Sequence, residues 1–113
     1  MISNLISVIG QLAASVPVTP IYTCPANTKA IIQSLTVCND TTTVPTHTWH
    51  HYKAGGAVGP TNFLINARAL AGNDAKIVYE AVGKILEAGD VLTGFASAAD
   101  QVTYNLSVLE LVL

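Results

Sequence analysis

Three histidines lie close together in the sequence, and their type and spacing invite a metal or proton-transfer site. His47, His50 and His51 form the pattern H-x-x-H-H, and imidazole is a frequent metal ligand and proton carrier. On a strand, His47 and His51 would share one face about 13 Å apart, with Trp49 between them. His50 would point to the opposite face. One ion cannot span that separation, so we expect no metal site here.

The acidic and glycine-rich segments give no stronger signal for catalysis. Glu87 and Asp90 could form a carboxylate pair, but Gly89 indicates a tight turn in which Asp90 accepts hydrogen bonds from neighbouring amides. Residues 39–43 offer one carboxylate, which is too few acidic ligands for calcium. The glycines of 55–59 lack the following Lys-Ser/Thr of a phosphate-binding loop, and no G-x-S-x-G motif occurs. We predict no catalytic residues, no cofactor and no enzymatic activity.

The composition is unusually apolar for a small domain that faces water. Of 113 residues, half are hydrophobic and 11% are charged, whereas ordinary soluble domains have about 25% charged residues. The first charged side chain is Lys29, so residues 1–28 cannot form a conventionally solvated face. The length suits a single domain over 1–113. We therefore expect other protein chains to cover much of this surface.

Charge, hydropathy and cysteine spacing argue against several other classes. A net charge of −2 with five scattered basic residues gives no cationic face for nucleic acid. No run approaches the ~20 apolar residues of a membrane-spanning helix. The start of the chain lacks the basic region of a secretory signal, and polar residues interrupt its apolar run. Cys24 and Cys38 have no framework of spacings and are expected to be free thiols.

The hydrophobic pattern predicts a series of short strands. Alternation with period two, punctuated by turn residues, indicates about eight of them. The predicted strands include 2–16, 29–38, 46–53, 63–70, 76–82, 91–98 and 101–113. Segment 29–38 has apolar residues on both faces, with Ile31, Leu35 and Val37 on one of them, which is typical of an inner strand. We predict an all-β fold, a β-sandwich or jelly-roll-like domain with an extended N-terminal segment.

The N-terminal segment has two interpretations. Its apolar residues also match a helical face, but the β-branched residues and Gly10 favour a strand. Pro17 and Pro20 interrupt any central ladder, so residues 1–20 could include an arm that grips an adjacent subunit. The residues expected to meet a partner are apolar or aromatic, and they are Ile6, Ile9, Leu12, Val16, Val18, Ile21, Trp49, Tyr52 and Phe63.

Four segments resemble small β-sandwich virion proteins of tailed bacteriophages. They are residues 21–32, which contain a Y-T-x-P-A-x-T turn, 36–39, 52–56, and 86–90, which read L-E-A-G-D. The resemblance extends from about Gly10 to the end of the chain. The sequence departs from it at Cys24 and Cys38, where aliphatic residues are more usual, and in its histidine-rich strand.

The resemblance implies a non-enzymatic structural protein, of the capsid decoration (cement), head-fibre, or neck and tail accessory type. Such proteins are commonly homotrimers that contact the major capsid protein or other virion proteins. They become part of the virion during assembly in the host cytoplasm. The alternative is a tail or neck adaptor, or a fibre-associated module that binds a receptor or glycan through Trp49, Tyr52 and the histidines.

Overall fold

A computed structural model describes residues 2–14 and 20–113, and the regular elements in these ranges are β-strands. In chain order they are β1 (Ile2–Gln11), β2 (Tyr22–Thr23), β3 (Thr28–Asn39), β4 (Thr46–Tyr52), β5 (Phe63–Ala69), β6 (Asp74–Ile77), β7 (Ile85–Leu86), β8 (Val91–Ala96) and β9 (Thr103–Val112). In these same ranges there is no helix with the length and apolar character needed to span a membrane.

The strands form two antiparallel sheets, in which the first half of the chain pairs with the second half. One sheet has the order β1-β9-β3-β6, with β7 also paired to β3, and the other has the order β2-β8-β4-β5. The pairs β1–β9, β2–β8, β3–β6 and β4–β5 follow one another as in a single long hairpin. This hairpin is rolled up, so that β9 pairs with β3 as well as β1, and β8 pairs with β4 as well as β2. This is the winding of a jelly roll. The predicted all-β sandwich is confirmed.

A bulge in β3 decides which of its residues face the core. The pairing of β3 with β9 shifts register between Ile32 and Ser34, so one extra residue is inserted there. Even-numbered residues face the core before the bulge, and odd-numbered residues such as Leu35 and Val37 face it afterwards. The prediction that Ile31 shares a face with Leu35 and Val37 is therefore wrong, because Ile31 lies on the outer face.

The core between the sheets is organised around Trp49, which is fully buried. Its ring lies so close to Gly94 of β8 that a Cβ atom there would come within 2.9 Å of three ring atoms. Tyr104 meets the indole edge-on, with ring centroids 6.0 Å apart. Gly10 of β1 leaves room for the Tyr104 ring. The indole Nε1 donates a hydrogen bond of 3.1 Å to Nδ1 of His47.

Two predicted segments differ from the observed strands. The strand predicted over 76–82 is limited to β6, because the chain turns after Ile77 and the amide of Ala81 bonds to the carbonyl of Val78 at 3.1 Å. The strand predicted over 2–16 ends at Gln11. Half of the proposed arm over 1–20 is thus β1, while residues 1 and 15–19 lie outside the described residues.

Candidate functional site

The outer face of the first sheet carries a row of apolar side chains across four strands. Leu5 of β1 is paired with Leu109 of β9, which is paired with Ile31 of β3, and Ile31 is paired with Ile85 of β7. Directly paired residues point to the same face of a sheet. Leu5 is 77% exposed and Ile85 is 55% exposed, while the two residues between them are half-buried. We call these four residues the apolar row.

Polar residues border most of the apolar row, although Leu111 of β9, which is paired with Ser3 and Lys29 on one side of it, is apolar and half-buried. On one side Ser7, Ser107 and Ser34 are paired across β1, β9 and β3. On the other side Lys29 of β3 lies 3.8 Å from the carboxylate of Glu87, and both side chains are about half exposed. An apolar centre with a polar rim is the arrangement found in protein–protein contact surfaces.

The three histidines occupy three separate environments. His47 is buried, and burial together with the nearby Arg68 lowers its pKa, so the neutral ring can accept the bond from Trp49. Burial also lowers the pKa of His50, whose ring centroid lies 4.3 Å from that of Phe63. Within the described residues, Nδ1 of His50 has no hydrogen-bond partner. In the same ranges, no three His, Cys, Asp or Glu side chains are grouped to hold a metal ion.

Asp90 lies at the centre of a turn that joins two loops. Its side chain is 2% exposed and accepts hydrogen bonds from the Glu87 amide at 3.0 Å, Nζ of Lys53 at 3.1 Å and the Ala54 amide at 3.3 Å. Nε2 of His51 is 3.3 Å from the same carboxylate. Burial alone would raise the pKa of Asp90, but these donors hold it below its usual value. The carboxylate therefore closes a turn, as the sequence indicated.

A hydrogen bond between two buried side chains connects the two sheets. Glu110 of β9 accepts it from the hydroxyl of Tyr22 in β2. Burial and the neighbouring carboxylate raise the pKa of Tyr22, so its phenol keeps the proton that makes this bond. The pair of Tyr22 and Glu110 holds the short strand β2 against the first sheet.

Both cysteines are free thiols, and the pKa of the buried Cys24 is raised by its burial, whereas Cys38 is exposed.

The residues expected to meet a partner occupy mixed positions. Ile9 is exposed on β1, and Phe63 is exposed at the start of β5. Ile6, Ile21 and Tyr52 are half-buried, and the two isoleucines pack against the core. These five residues therefore keep at least part of their apolar surface outside the core.

Leu12 and Trp49 need correction, because both are buried in the core of their own subunit. The backbone of Leu12 is fixed there by a hydrogen bond of 2.8 Å to the carbonyl of Val102. Neither side chain is available to a partner. Val16 and Val18 lie outside the described residues.

Sequence reasoning missed all four members of the apolar row, Leu5, Ile31, Ile85 and Leu109. A signal was present in the alternation of Leu109 with Leu111 and Leu113, which marks one face of the last strand. The sequence did not reveal that this face points away from the core. The residues between them, Val108 and Glu110, are the buried ones.

A second surface feature is an open cleft of about 510 Å³ at the end of β4. Tyr52 and Phe63 contribute aromatic rings, Lys53 and Lys84 contribute ammonium groups, and Asn62 contributes an amide. Aromatic faces beside hydrogen-bond donors and cations suit a polar ligand with an apolar side, such as an acidic sugar.

Two of the four segments that carry the phage resemblance, 21–32 and 86–90, contact each other in the fold. The amide of Cys24 donates to the carbonyl of Asp90 at 2.9 Å, and the amide of Gly89 donates to the carbonyl of Cys24 at 2.9 Å. They are therefore interlocked turns. No family model matches the chain, and no match is found among curated proteins or solved structures. Its function must be argued from its own surface.

Proposed function

We propose that this protein is a non-enzymatic structural protein of a tailed-bacteriophage particle, acting as a capsid decoration (cement) protein. The apolar row with its polar rim carries the proposal. Complete burial of a Leu or Ile side chain contributes about 1.5–3 kcal/mol. Because two of the four residues are already half-buried, covering the row would contribute roughly 3–5 kcal/mol per subunit. Repetition over a symmetric shell turns such modest contacts into firm attachment.

Two further features support this role. The charged fraction of 11% is low for a chain whose whole surface meets water. The jelly-roll winding occurs in viral capsid proteins, although it also occurs in lectins and cupins, so it supports the proposal by analogy. Two of the phage-like segments also form the turns that are joined by backbone hydrogen bonds between Cys24 and residues 89 and 90.

The proposed partners are the major capsid protein or other virion proteins, together with further copies of this chain. A homotrimer is the oligomer that the resemblance implies, and the virion, assembled in the host cytoplasm, is the proposed location. Contact with nucleic acid or membrane has no part in this proposal.

The experiment compares binding to phage particles that lack this protein. Ile85→Lys places a charge in the apolar row, and Val44→Lys is the matched control, because Val44 is 60% exposed in the loop before β4. We expect wild type and Val44→Lys to sediment with the particles, and Ile85→Lys to bind at least about tenfold more weakly. Equal binding by a folded Ile85→Lys variant would show that the row is not the contact surface.

The open cleft supports a second candidate, a fibre-associated module that binds glycans. Tyr52 and Phe63 would supply its aromatic surface, and Lys84 would favour an acidic sugar. Burial of Trp49 removes one of the aromatic groups that this reading expected. Glycan-array binding that is lost in Phe63→Ala, with particle attachment unaffected by Ile85→Lys, would favour this candidate over decoration.

A further inference from the structure

The first sheet ends in a long strand whose outer edge has no pairing partner in residues 2–14 and 20–113. β1 extends over ten residues, and its recorded pairing is with β9 on one side. An open edge presents a line of backbone N–H and C=O groups to any extended chain. Natural proteins usually protect such edges with charged residues, proline or a short strand. β1 contains neither a charged residue nor a proline, so its edge is unprotected.

The sequence of β1 is complementary to itself when two copies run antiparallel about Ser7. A two-fold axis perpendicular to the sheet keeps the outer faces of the two copies on the same side. Because side chains alternate between the two faces along a strand, two directly opposed residues must then both have odd numbers or both have even numbers. With Ser7 opposite its own copy, Leu5 lies opposite Ile9 of the partner subunit, and Ile6 lies opposite Val8 of the partner subunit. Every branched apolar residue over positions 3–11 then faces another one. Centring the axis on Ile6 or Val8 would instead place apolar residues opposite serine, asparagine, glutamine or glycine.

We propose that a second copy of this chain is the partner of this edge, and that two β1 strands pair antiparallel about a two-fold axis through Ser7. The two first sheets then become one continuous sheet. The outer face joins Leu5 of one copy to Ile9 of the other, and these residues are 77% and 67% exposed in the single chain. The inference concerns the isolated protein and does not depend on the phage role.

The size of this contact matches what a specific but modest dimer needs. Nine paired residues extend over about 30 Å and form roughly eight to ten inter-chain hydrogen bonds. A typical interface carries about ten hydrogen bonds. A single strand edge buries less area than most stable interfaces, so we expect association at micromolar concentration. A two-fold contact gives a dimer, which differs from the trimer implied by the resemblance.

Disulfide cross-linking tests both the partner and the register. Ser7 is exposed, and directly opposed residues of antiparallel strands have Cα atoms about 4.5–5.5 Å apart, which suits a disulfide. In a Cys38→Ser background, which removes the exposed native thiol, Ser7→Cys should form a covalent dimer under mild oxidation. Ser3→Cys is the matched control, because Ser3 is also exposed on β1 and would lie about 26 Å from its own copy. We expect at least about tenfold more dimer from Ser7→Cys.

Light scattering of the protein without new cysteines gives an independent readout. The mass of wild type at about 100 μM should approach that of a dimer, and Ile9→Lys should return it to a monomer, because lysine protects a strand edge. Tyr79→Lys, at a position that is 73% exposed outside β1, should leave the dimer intact. A monomeric or trimeric wild type, or equal cross-linking from Ser3→Cys and Ser7→Cys, would overturn the inference. Failure of particle binding alone would leave it standing, so the two proposals are tested separately.

Discussion

Replacing Asp90 with Asn should lower the free energy of unfolding by about 2–4 kcal/mol at pH 7. The side chain keeps its shape but loses its charge, and its NH₂ group cannot accept a hydrogen bond. The amides of Glu87 and Ala54 both donate to this buried carboxylate. Leaving one buried donor unsatisfied costs about 1–3 kcal/mol, and a bond to a charged acceptor contributes about 1.5–3 kcal/mol. Lys53 adds little, because its side chain is 71% exposed.

The pH dependence gives this prediction a second test. The pKa of Asp90 is held below its usual value, so its charge stabilises the fold at every pH above the unfolded-state pKa of about 3.9. That stabilisation is lost as the pH falls through the lower pKa of the folded state. The difference in stability between wild type and Asp90→Asn should therefore shrink below about pH 4.

Urea denaturation at pH 7 and pH 3 measures both effects. Trp49 is the single tryptophan and is buried in the core, so its fluorescence reports unfolding. Asp74→Asn is the matched control, since Asp74 is a partly exposed residue at the start of β6 whose ion pair with Lys76, at 3.5 Å, lies on the surface. Asp74→Asn should lower the free energy of unfolding by less than about 0.5 kcal/mol. The reasoning fails if Asp90→Asn matches wild type at pH 7, or if the difference persists unchanged at pH 3.

Two other substitutions test the packing of the sandwich. Gly94→Ala should lower the free energy of unfolding by about 1–3 kcal/mol, because the added Cβ would meet the buried indole ring at 2.7 Å. The control is Gly59→Ala, which has open space around it. In urea denaturation it should change the free energy of unfolding by less than about 1 kcal/mol. Tyr22→Phe should lower the free energy of unfolding by about 1–3 kcal/mol, because buried Glu110 loses its hydrogen-bond donor. Tyr79→Phe, at an exposed position, should leave the free energy of unfolding unchanged. Stability of Gly94→Ala equal to that of Gly59→Ala would contradict the packing of the core, and a neutral Tyr22→Phe would contradict the bond between the sheets.

Much of the fold could be predicted from local sequence, because strands and turns leave local signals. Alternating hydrophobic residues located most of the strands, and turns such as the one at Gly89 and Asp90 were recognised from their composition. The strand predicted over 76–82 failed for a physical reason. Ile77, Val78 and Tyr79 favour a strand, but the bonds that close the turn after Ile77 end it early.

The contact surface was harder to predict, because an inserted residue reverses the faces of a strand. The bulge in β3 moves Ile31 to the outer face while Leu35 stays in the core. The apolar row also depends on which residues of β9 and β7 lie beside Ile31, and that register is a tertiary property. The sequence leaves Trp49 as either an interface or a core residue, because large aromatic residues are common in both. Gly94, which makes room for its ring, is distant in sequence.

Imaging the intact phage particle by electron cryomicroscopy tests the central claim most directly. We expect density for this jelly roll on the particle, with Leu5, Ile31, Ile85 and Leu109 covered by neighbouring protein. Absence of the protein from the particle, or a bound subunit whose apolar row faces solvent, would contradict the account.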